Sequence, residues 1–422
     1  MSDTEALVYV DLAGAPVLVG RLWSRARKGR ESGTFEYDKT WLEQPERFAL
    51  EPALTLGPGP QHTGADKALF GALGDSAPDR WGRMLMRRAE RRRAQQEGRA
   101  TRAPREIDFL LMVDDEVRQG ALRFAQEPGG PFLAPAEAER IPPVLALRRL
   151  LAATERVADE TETDDDIRLL LAPGSSLGGA RPKAAVRERD GQLAIAKFPH
   201  KSDETDVELW ESVSLKLARL AGIEVPDSRI ETVFEKNVLI VRRFDRAGKN
   251  RISFLSAMSM LGAKDNETHS YLEIADAIRQ YGAQPDADLK ELWRRIVFTV
   301  LISNTDDHLR NHGFLYAGPR GWRLSPAFDL NPVPVDVKAR VLSTSIGVDD
   351  PTASLDLAME AAEYFGLSPD EAKRSAGAVG AAVSRWRTEA RTLGLNQAAI
   401  DRMASAFEHA DLGQAVQFSV GF

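Results

Sequence analysis

Asn304-Thr305-Asp306-Asp307-His308-Leu309-Arg310-Asn311, read together with Phe328-Asp329 downstream, is the stretch that decides the fold. It supplies a carboxylate, a carboxamide and a second carboxylate, and Asn311 stands five positions after Asp306. Phosphoryl transfer to a hydroxyl needs a carboxylate to accept the hydroxyl proton, and oxygen ligands to hold magnesium against the ATP phosphates. Asp306 fits the first role; Asn311 and Asp329 fit the second. Upstream, Leu289, Leu292, Ile296, Val297 and Val300 recur at helical spacing, so a helix with one buried face delivers Asn304 at its end. Downstream, Phe314-Leu315-Tyr316, a turn at Gly318-Pro319-Arg320-Gly321 and Trp322-Arg323-Leu324 read as a hairpin that returns Asp329 to the side of Asn311. Singly, each residue has a plainer reading. Asp306 or Asn304 could cap a helix, His308 could be a satisfied structural histidine, and Asp329 could close a turn.

A second stretch, Pro173-Gly174-Ser175-Ser176-Leu177-Gly178-Gly179-Ala180-Arg181-Pro182-Lys183, has small residues that let backbone N–H groups approach phosphate oxygens. It is not a Walker loop, because Ala180 stands where the lysine belongs, and it lacks the dinucleotide-binding glycine pattern. Lys183 to Glu188 is strand-like, Asp190-Gly191 is a turn signal, and Leu193 to Pro199 is the return strand with Lys197 near its end. A glycine-rich loop, a hairpin and a strand lysine form the layout of a kinase small lobe, where the lysine binds the α- and β-phosphates. A lone strand lysine is more commonly an edge residue. The next helix, from about Asp206 to Ala221, is amphipathic through Trp210, Val213, Leu217 and Leu220 and is capped by Gly222; its Glu208 or Glu211 could pair with Lys197. The strand Val238 to Val241 then runs into Arg242-Arg243-Phe244, where the hinge of a two-lobed kinase would face adenine.

The whole chain agrees with a multi-domain globular protein. It has 422 residues, 43% hydrophobic and 28% charged, with a formal charge of −7 and no cysteine. Disulfides, thiolate catalysis and cysteine-ligated zinc are excluded, and a mildly acidic chain is not recommended as a nucleic-acid binder by bulk charge. The start has no signal-peptide pattern and no segment is apolar enough to span a membrane, so a cytoplasmic location is expected. The N-terminal residues Val8 to Trp23 read as a hairpin turning at Gly14 and Pro16. Asp79 to Gln96 is helical and arginine-rich, either a solvated face or a surface for an acidic partner or DNA phosphates. Glu127 to Pro143 reads as a linker, and the acidic run Asp159 to Asp166 as a solvated loop or helix end rather than a metal site. Ser368-Pro369-Asp370-Glu371 opens a helix with a capping box.

Taken together, these motifs resemble the HipA family, the serine/threonine-protein kinase toxins of bacterial toxin–antitoxin modules. The resemblance is carried by Ser176 to Lys183, Ala196-Lys197-Phe198-Pro199, Arg243-Phe244-Asp245-Arg246, Asn304 to Asn311 and Ser325-Pro326-Ala327-Phe328-Asp329. Gly71-Ala72-Leu73-Gly74-Asp75-Ser76-Ala77-Pro78-Asp79-Arg80-Trp81-Gly82-Arg83 looks like the family's N-terminal subdomain. Nearly the whole chain is covered. The resemblance implies an α+β, two-lobed protein-kinase-like fold, with a β-rich N-terminal subdomain over 1–105, a small lobe over 106–245 and a mostly helical lobe over 246–422.

It also implies Mg2+ and ATP, with Asp306 as base and Asn311 and Asp329 as metal ligands. Gly178, Gly179, Ala180, Arg181, Pro182, Lys183 and Lys197 would lie on the phosphates, the backbone of Arg242, Arg243 and Phe244 on the adenine, and His308 in the nucleotide site. Ser176, with Ser175 as its near alternative, would be the autophosphorylated loop serine. Arg181 stands where other members have Gln, and Arg242 where some have Glu. The implied partners are a HipB-like helix-turn-helix antitoxin, operator DNA through it, and a protein substrate such as an aminoacyl-tRNA synthetase, whose modification leads to growth arrest and persistence. The competing expectations are a small-molecule kinase of the aminoglycoside or choline type and a non-catalytic co-repressor that keeps a kinase shell.

Overall fold

The computed structural model describes residues 3–133, 141–171 and 179–420. Ser175, Ser176, Gly178 and the middle of the expected linker lie outside those residues. The described chain divides into two compact units, one of Met1–Ser202 with Glu231–Leu255 and one of Asp203–Ile230 with Ser256–Phe422.

In the first unit the N-terminal hairpin forms from β1 (Thr4–Leu12) and β2 (Ala15–Arg27). Leu12 pairs with Ala15, so Ala13 and Gly14 alone make the turn, both at positive φ (51° and 88°). That is the geometry a two-residue hairpin needs to match strand twist. Strands β3 (Arg30–Tyr37), β4 (Gln61–His62) and β5 (Leu122–Ala125) complete a five-stranded sheet of order β4-β3-β2-β1-β5.

Helix α1 (Arg80–Gln96) follows, with Asp79 as N-cap accepting from Gly82 N–H at 2.7 Å. Its arginines are not simply solvated. Arg88 Nη1 donates to Glu162 at 2.8 Å, Arg92 pairs with Glu162 and Asp164, and Arg83 holds Glu106 through two 2.6 Å bonds. The expected solvated arginine face and solvated acidic run therefore neutralise each other. The run enters α3 (Asp164–Leu171), which is preceded by α2 (Leu147–Ala158). Arg156 on α2 pairs with Asp166, and this holds the Asp166 carboxyl well below the usual range.

Strands β6 (Lys183–Arg187) and β7 (Leu193–Lys197) form the expected hairpin, with Gly191 at φ 83° in the turn. With β8 (Ser228–Val233) and β9 (Lys236–Arg242) they make a four-stranded sheet of order β6-β7-β9-β8. Val186, Ala196 and Ile240 of this sheet, with Phe198 just after β7, share a buried core with Leu85, Leu150, Leu151 and Leu170 of the three helices. Such burial removes several large apolar side chains from water, at roughly 1.5–3 kcal/mol each.

The second unit is mostly helical. Helix α4 (Val207–Leu220) is capped by Asp206, and Gly222 takes φ 76° just past its end. Trp210, Val213 and Leu217 are buried as the periodicity predicts, but Leu220 is 45% exposed. Glu208 and Glu211, on the other side of the helix, are 2% and 3% exposed, so the helix is buried nearly all round and the exposure falls on its last two residues, Arg219 and Leu220. Trp210 packs on Trp386 and Phe407, whose rings stack at 4.6 Å. Helix α5 (Tyr271–Tyr281) precedes α6 (Pro285–Leu301), which buries Leu289, Leu292, Ile296, Val297 and Val300 as expected. Strands β10 (Gly313–Tyr316) and β11 (Trp322–Leu324) pair with Tyr316 opposite Trp322. Helix α7 (Pro369–Val383) begins with the Ser368–Glu371 capping box, and its Gly377 and Gly380 let α8 (Ala410–Val420) approach closely. A Cβ at Gly380 would sit 2.7 Å from the Ala415 backbone.

Candidate active site

The catalytic-loop candidates all lie in the second unit. α6 ends at Leu301, and Ser303 turns the chain with φ 52° while its hydroxyl donates to Ala406 O at 2.8 Å. The loop that follows is held from inside. Thr305 O accepts from Lys338 Nζ at 3.1 Å and from Ser343 Oγ at 3.0 Å, and Asp307 O accepts from Thr344 Oγ1 at 2.7 Å. Asp306 itself is exposed, and among the described residues its carboxylate has no hydrogen-bond or ion-pair partner. A carboxylate in that setting is available to accept a proton.

Asn311 is tied to Asp306 directly, since its Nδ2 donates to Asp306 O at 3.2 Å. His308 N–H donates to the same carbonyl at 2.9 Å, and Asn311 N–H to His308 O at 2.8 Å, so 306–311 is one compact turn. The hairpin β10–β11 then runs as expected, and Ser325 N–H donates to Gly313 O at 2.8 Å, which brings the segment entering Asp329 beside the segment leaving Asn311. Asp329 adopts φ 60°, a left-handed conformation that few non-glycine residues take, Asn and Asp most readily. Strain of this kind concentrates at functional positions.

Asn311 and Asp329 offer hard oxygen donors of the kind magnesium takes with waters and phosphates. Nearby residues carry unfilled polar capacity: Asn304 Nδ2, Thr305 Oγ1, His308 Nδ1 and Asn331 Oδ1 are buried without hydrogen-bond partners among the described residues. Buried polar atoms are normally satisfied, so this set suits a polar ligand better than a dry core. Among the described residues no group of three or more acidic, histidine or cysteine side chains is arranged for a metal. Magnesium bound through one carboxylate and one carboxamide needs no such group.

Behind this loop lies a buried cluster that sequence reasoning missed. Asp307 is 4% exposed and its Oδ2 accepts from Tyr271 Oη at 2.5 Å and Thr299 Oγ1 at 3.3 Å. His312 Nε2 lies 3.2 Å from the same oxygen, within ion-pair range but not aligned for a hydrogen bond. Burial alone would raise the Asp307 carboxyl, but the adjoining His312 ring and the Tyr271 hydroxyl outweigh it and hold it below the ordinary range. The Tyr271 hydroxyl is pushed well up by burial and by the Asp307 charge. The only sequence signal was a second aspartate directly after Asp306.

The phosphate and adenine candidates lie in the first unit. Lys183 and Lys197 pair across β6 and β7, so both side chains leave the same face. Lys197 is half-buried. Lys183 is buried, and its ammonium pairs with Asp79 at 3.1 Å while its carbonyl accepts from Trp81 Nε1 at 2.9 Å. Gly179 has φ 105°, and a Cβ there would meet Lys183 Nζ at 2.7 Å, so glycine is required for that lysine to lie where it does. Ala180 and Arg181 continue toward Pro182, whose carbonyl accepts from Phe198 N–H at 3.0 Å.

At the expected hinge, Arg242 is exposed and pairs with Asp190. Arg243 N–H is already used, donating to Leu193 O at 3.1 Å. The Arg243 guanidinium is buried, bound to Asp245 and to the carbonyls of Val117 and Arg118. Asp245 also accepts from Gly120 N–H and Arg246, and these partners hold its carboxyl far below the usual range despite full burial. The side chains of Arg243 and Asp245 therefore serve the fold, and Phe244 packs 6.4 Å from Phe254.

Residues 175–386, half of the chain, match the HipA-like C-terminal domain, and residues 10–114 match the HipA N-terminal domain. The chain belongs to the HipA family. A solved structure of Shewanella oneidensis HipA, in complex with HipB and its operator DNA, superposes with a TM-score of 0.65 at 16% identity, covering 99% of this chain and 98% of that one. The fold is accordingly the α+β HipA-like one. Relatives named as candidate kinases include Y4mE of Sinorhizobium fredii, 23% identical over 70% of this chain and 71% of that protein. Y4dM of the same organism is 25% identical over 48% of this chain, and a Haemophilus influenzae protein is 25% identical over 28%. The matches span 52% and 39% of the lengths of the last two.

Proposed function

We propose that this chain is an ATP-dependent protein serine/threonine kinase and the toxin of a toxin–antitoxin module. The observation that carries the reading is the single turn in which Asn311 Nδ2 holds Asp306 O while the Asp306 carboxylate stays exposed and unpartnered among the described residues. Asp306 accepts the proton of a substrate Ser or Thr hydroxyl. Asn311 and Asp329 would hold magnesium, which would supply charge neutralisation at the phosphates. Lys197 supplies a cation on the phosphate side, and the glycine-rich loop of residues 178–183 supplies backbone N–H groups and the Lys183 charge. Catalysis on this scheme is positioning and electrostatics rather than covalent chemistry.

Family membership and the candidate-kinase names of the relatives support ATP use. The Shewanella complex supports a HipB-type antitoxin as partner, with operator DNA reached through it. Ser176 is the proposed self-phosphorylation site, and the protein substrate is proposed to be a translation component. Incubation with γ-labelled ATP and Mg2+ tests the core of the reading. Wild-type protein is expected to acquire label as phosphoserine, and Asp306→Asn to acquire none while unfolding at the same temperature. Equal labelling of the two would overturn Asp306 as base. Label passing only to small hydroxylated acceptors would replace the protein kinase with a small-molecule kinase.

A further inference from the structure

We infer that Asp307 and His312 form a clasp that positions the base and the metal ligand of the proposed kinase, each from the adjacent residue. The inference rests on the kinase reading for its consequence, but the clasp itself stands on geometry. Asp306 and Asn311 are five residues apart, and so are Asp307 and His312. The first pair faces outward, Asp306 exposed and Asn311 half-buried. The second faces inward, both side chains 4% exposed and 3.2 Å apart. One internal fastener therefore sets the spacing of the two outward groups.

The fastener is itself anchored to neighbouring elements. Tyr271 at the start of α5 and Thr299 in the last turn of α6 both donate to Asp307 Oδ2, the oxygen that faces His312. The His312 ring stands edge-on to Tyr271, centroids 5.5 Å apart, and its carbonyl accepts from Ala257 N–H at 2.7 Å. Thr344 holds the Asp307 carbonyl. The loop is thus referenced to both helices and to two further segments.

Stability alone is a poor reason for such a cluster. Burying a carboxylate and an imidazole is costly, and apolar groups of the same volume commonly serve a core as well or better. The directional hydrogen bonds of Tyr271 and Thr299 to Asp307, with His312 in ion-pair range, instead fix one geometry. That is what a base and a metal ligand on one short turn require, since a misplacement of about 1 Å can cost on the order of 100-fold in rate.

The test uses the full-length chain and two mild variants, Tyr271→Phe, which deletes one hydroxyl, and Asp307→Asn, which keeps the shape and removes the charge. Hydrogen exchange of the backbone amides of 304–312 is measured without nucleotide, alongside the self-phosphorylation rate as a function of Mg-ATP. Both variants are expected to speed exchange in 304–312 by at least ~10-fold and leave exchange in α7 unchanged. The maximal transfer rate is expected to fall ~10-fold or more, while the ATP concentration giving half the maximal rate moves less than about two-fold. The double variant is expected to be no slower than Asp307→Asn alone, because the two groups act as one unit.

Unchanged exchange in 304–312 in both variants would overturn the clasp. Faster exchange with an undiminished maximal rate would overturn its positioning role. A wild-type chain that transfers no phosphate would refute the kinase reading and with it the positioning role, and exchange alone would then decide whether the clasp exists.

Discussion

Lys183 Nζ lies 3.1 Å from Asp79 Oδ2, with the two side chains 5% and 7% exposed. Asp79 also caps α1, so one carboxylate ties the first turn of that helix to the strand that follows the glycine-rich loop. Lys197 stands directly across the ladder. Two ammonium groups facing each other would repel, and Asp79 neutralises the buried one.

Removing one member of a buried ion pair leaves the other stranded. Lys183→Met is therefore expected to destabilise the chain by about 3–5 kcal/mol, and Lys183→Met with Asp79→Asn by clearly less. Denaturant unfolding of the wild type and the two variants measures this. ATP binding by calorimetry is expected to weaken more in Lys197→Met than in the double variant. The opposite order would make Lys183 rather than Lys197 the principal phosphate cation.

Glu51 gives a pH dependence with a definite sign. Its carboxyl is 4% exposed and accepts from Ala72 N–H, and burial pushes it up from 4.5 to about 7. The folded state thus holds the proton more tightly than the unfolded chain does. The stability contributed by that proton is complete below pH 4.5 and is lost as pH rises through 7, at most roughly 3 kcal/mol for this group. Glu51→Gln cannot ionise. Its unfolding free energy is expected to fall less than the wild type's between pH 5 and pH 8, and parallel curves would refute the assignment.

The arginines of α1 divide into two kinds. Arg92 is 28% exposed and pairs with Glu162 and Asp164, whereas Arg91 is exposed and has no ion-pair partner among the described residues. Arg92→Ala is expected to cost about 1–2 kcal/mol, part of it lost in high salt, and Arg91→Ala less than about 0.5 kcal/mol. Thermal unfolding at low and high salt distinguishes them.

Elements governed by local rules were legible in the sequence. The buried face of α6, the β6–β7 hairpin around Asp190-Gly191 and the Ser368 capping box each announce themselves within a few residues. What was not legible is pairing across long separations. Asp79 and Lys183 are 104 residues apart, Arg88 and Glu162 are 74 apart, and Tyr271 and Asp307 are 36 apart. Charge runs seen singly look solvated, because the sequence does not say which run will face which. Leu220 failed because it stands in the last turn of α4, where burial ends, although its period matches Trp210, Val213 and Leu217. The outward side chains Asp306 and Asn311 were found by spacing, and the inward pair that holds them was not, since neighbours in a loop carry no periodic signal.

Asp329 allows its charge and its backbone to be tested apart. At φ 60° a residue with a Cβ is strained by roughly 1–2 kcal/mol, and Gly and Asn tolerate the conformation best. Asp329→Asn keeps the backbone preference and removes only the charge. Asp329→Gly relieves the strain and removes the side chain. Asp329→Ala removes the side chain and keeps the strain. Thermal stability is therefore expected to rank Gly and Asn above Ala. The proposed metal role makes a different forecast, that all three lose Mg2+-dependent transfer by at least ~100-fold and bind Mn2+ with ATP more weakly in calorimetry. If transfer instead followed the stability ranking, with Gly and Asn active and Ala impaired, Asp329 would be a turn residue and the metal would have to be held elsewhere.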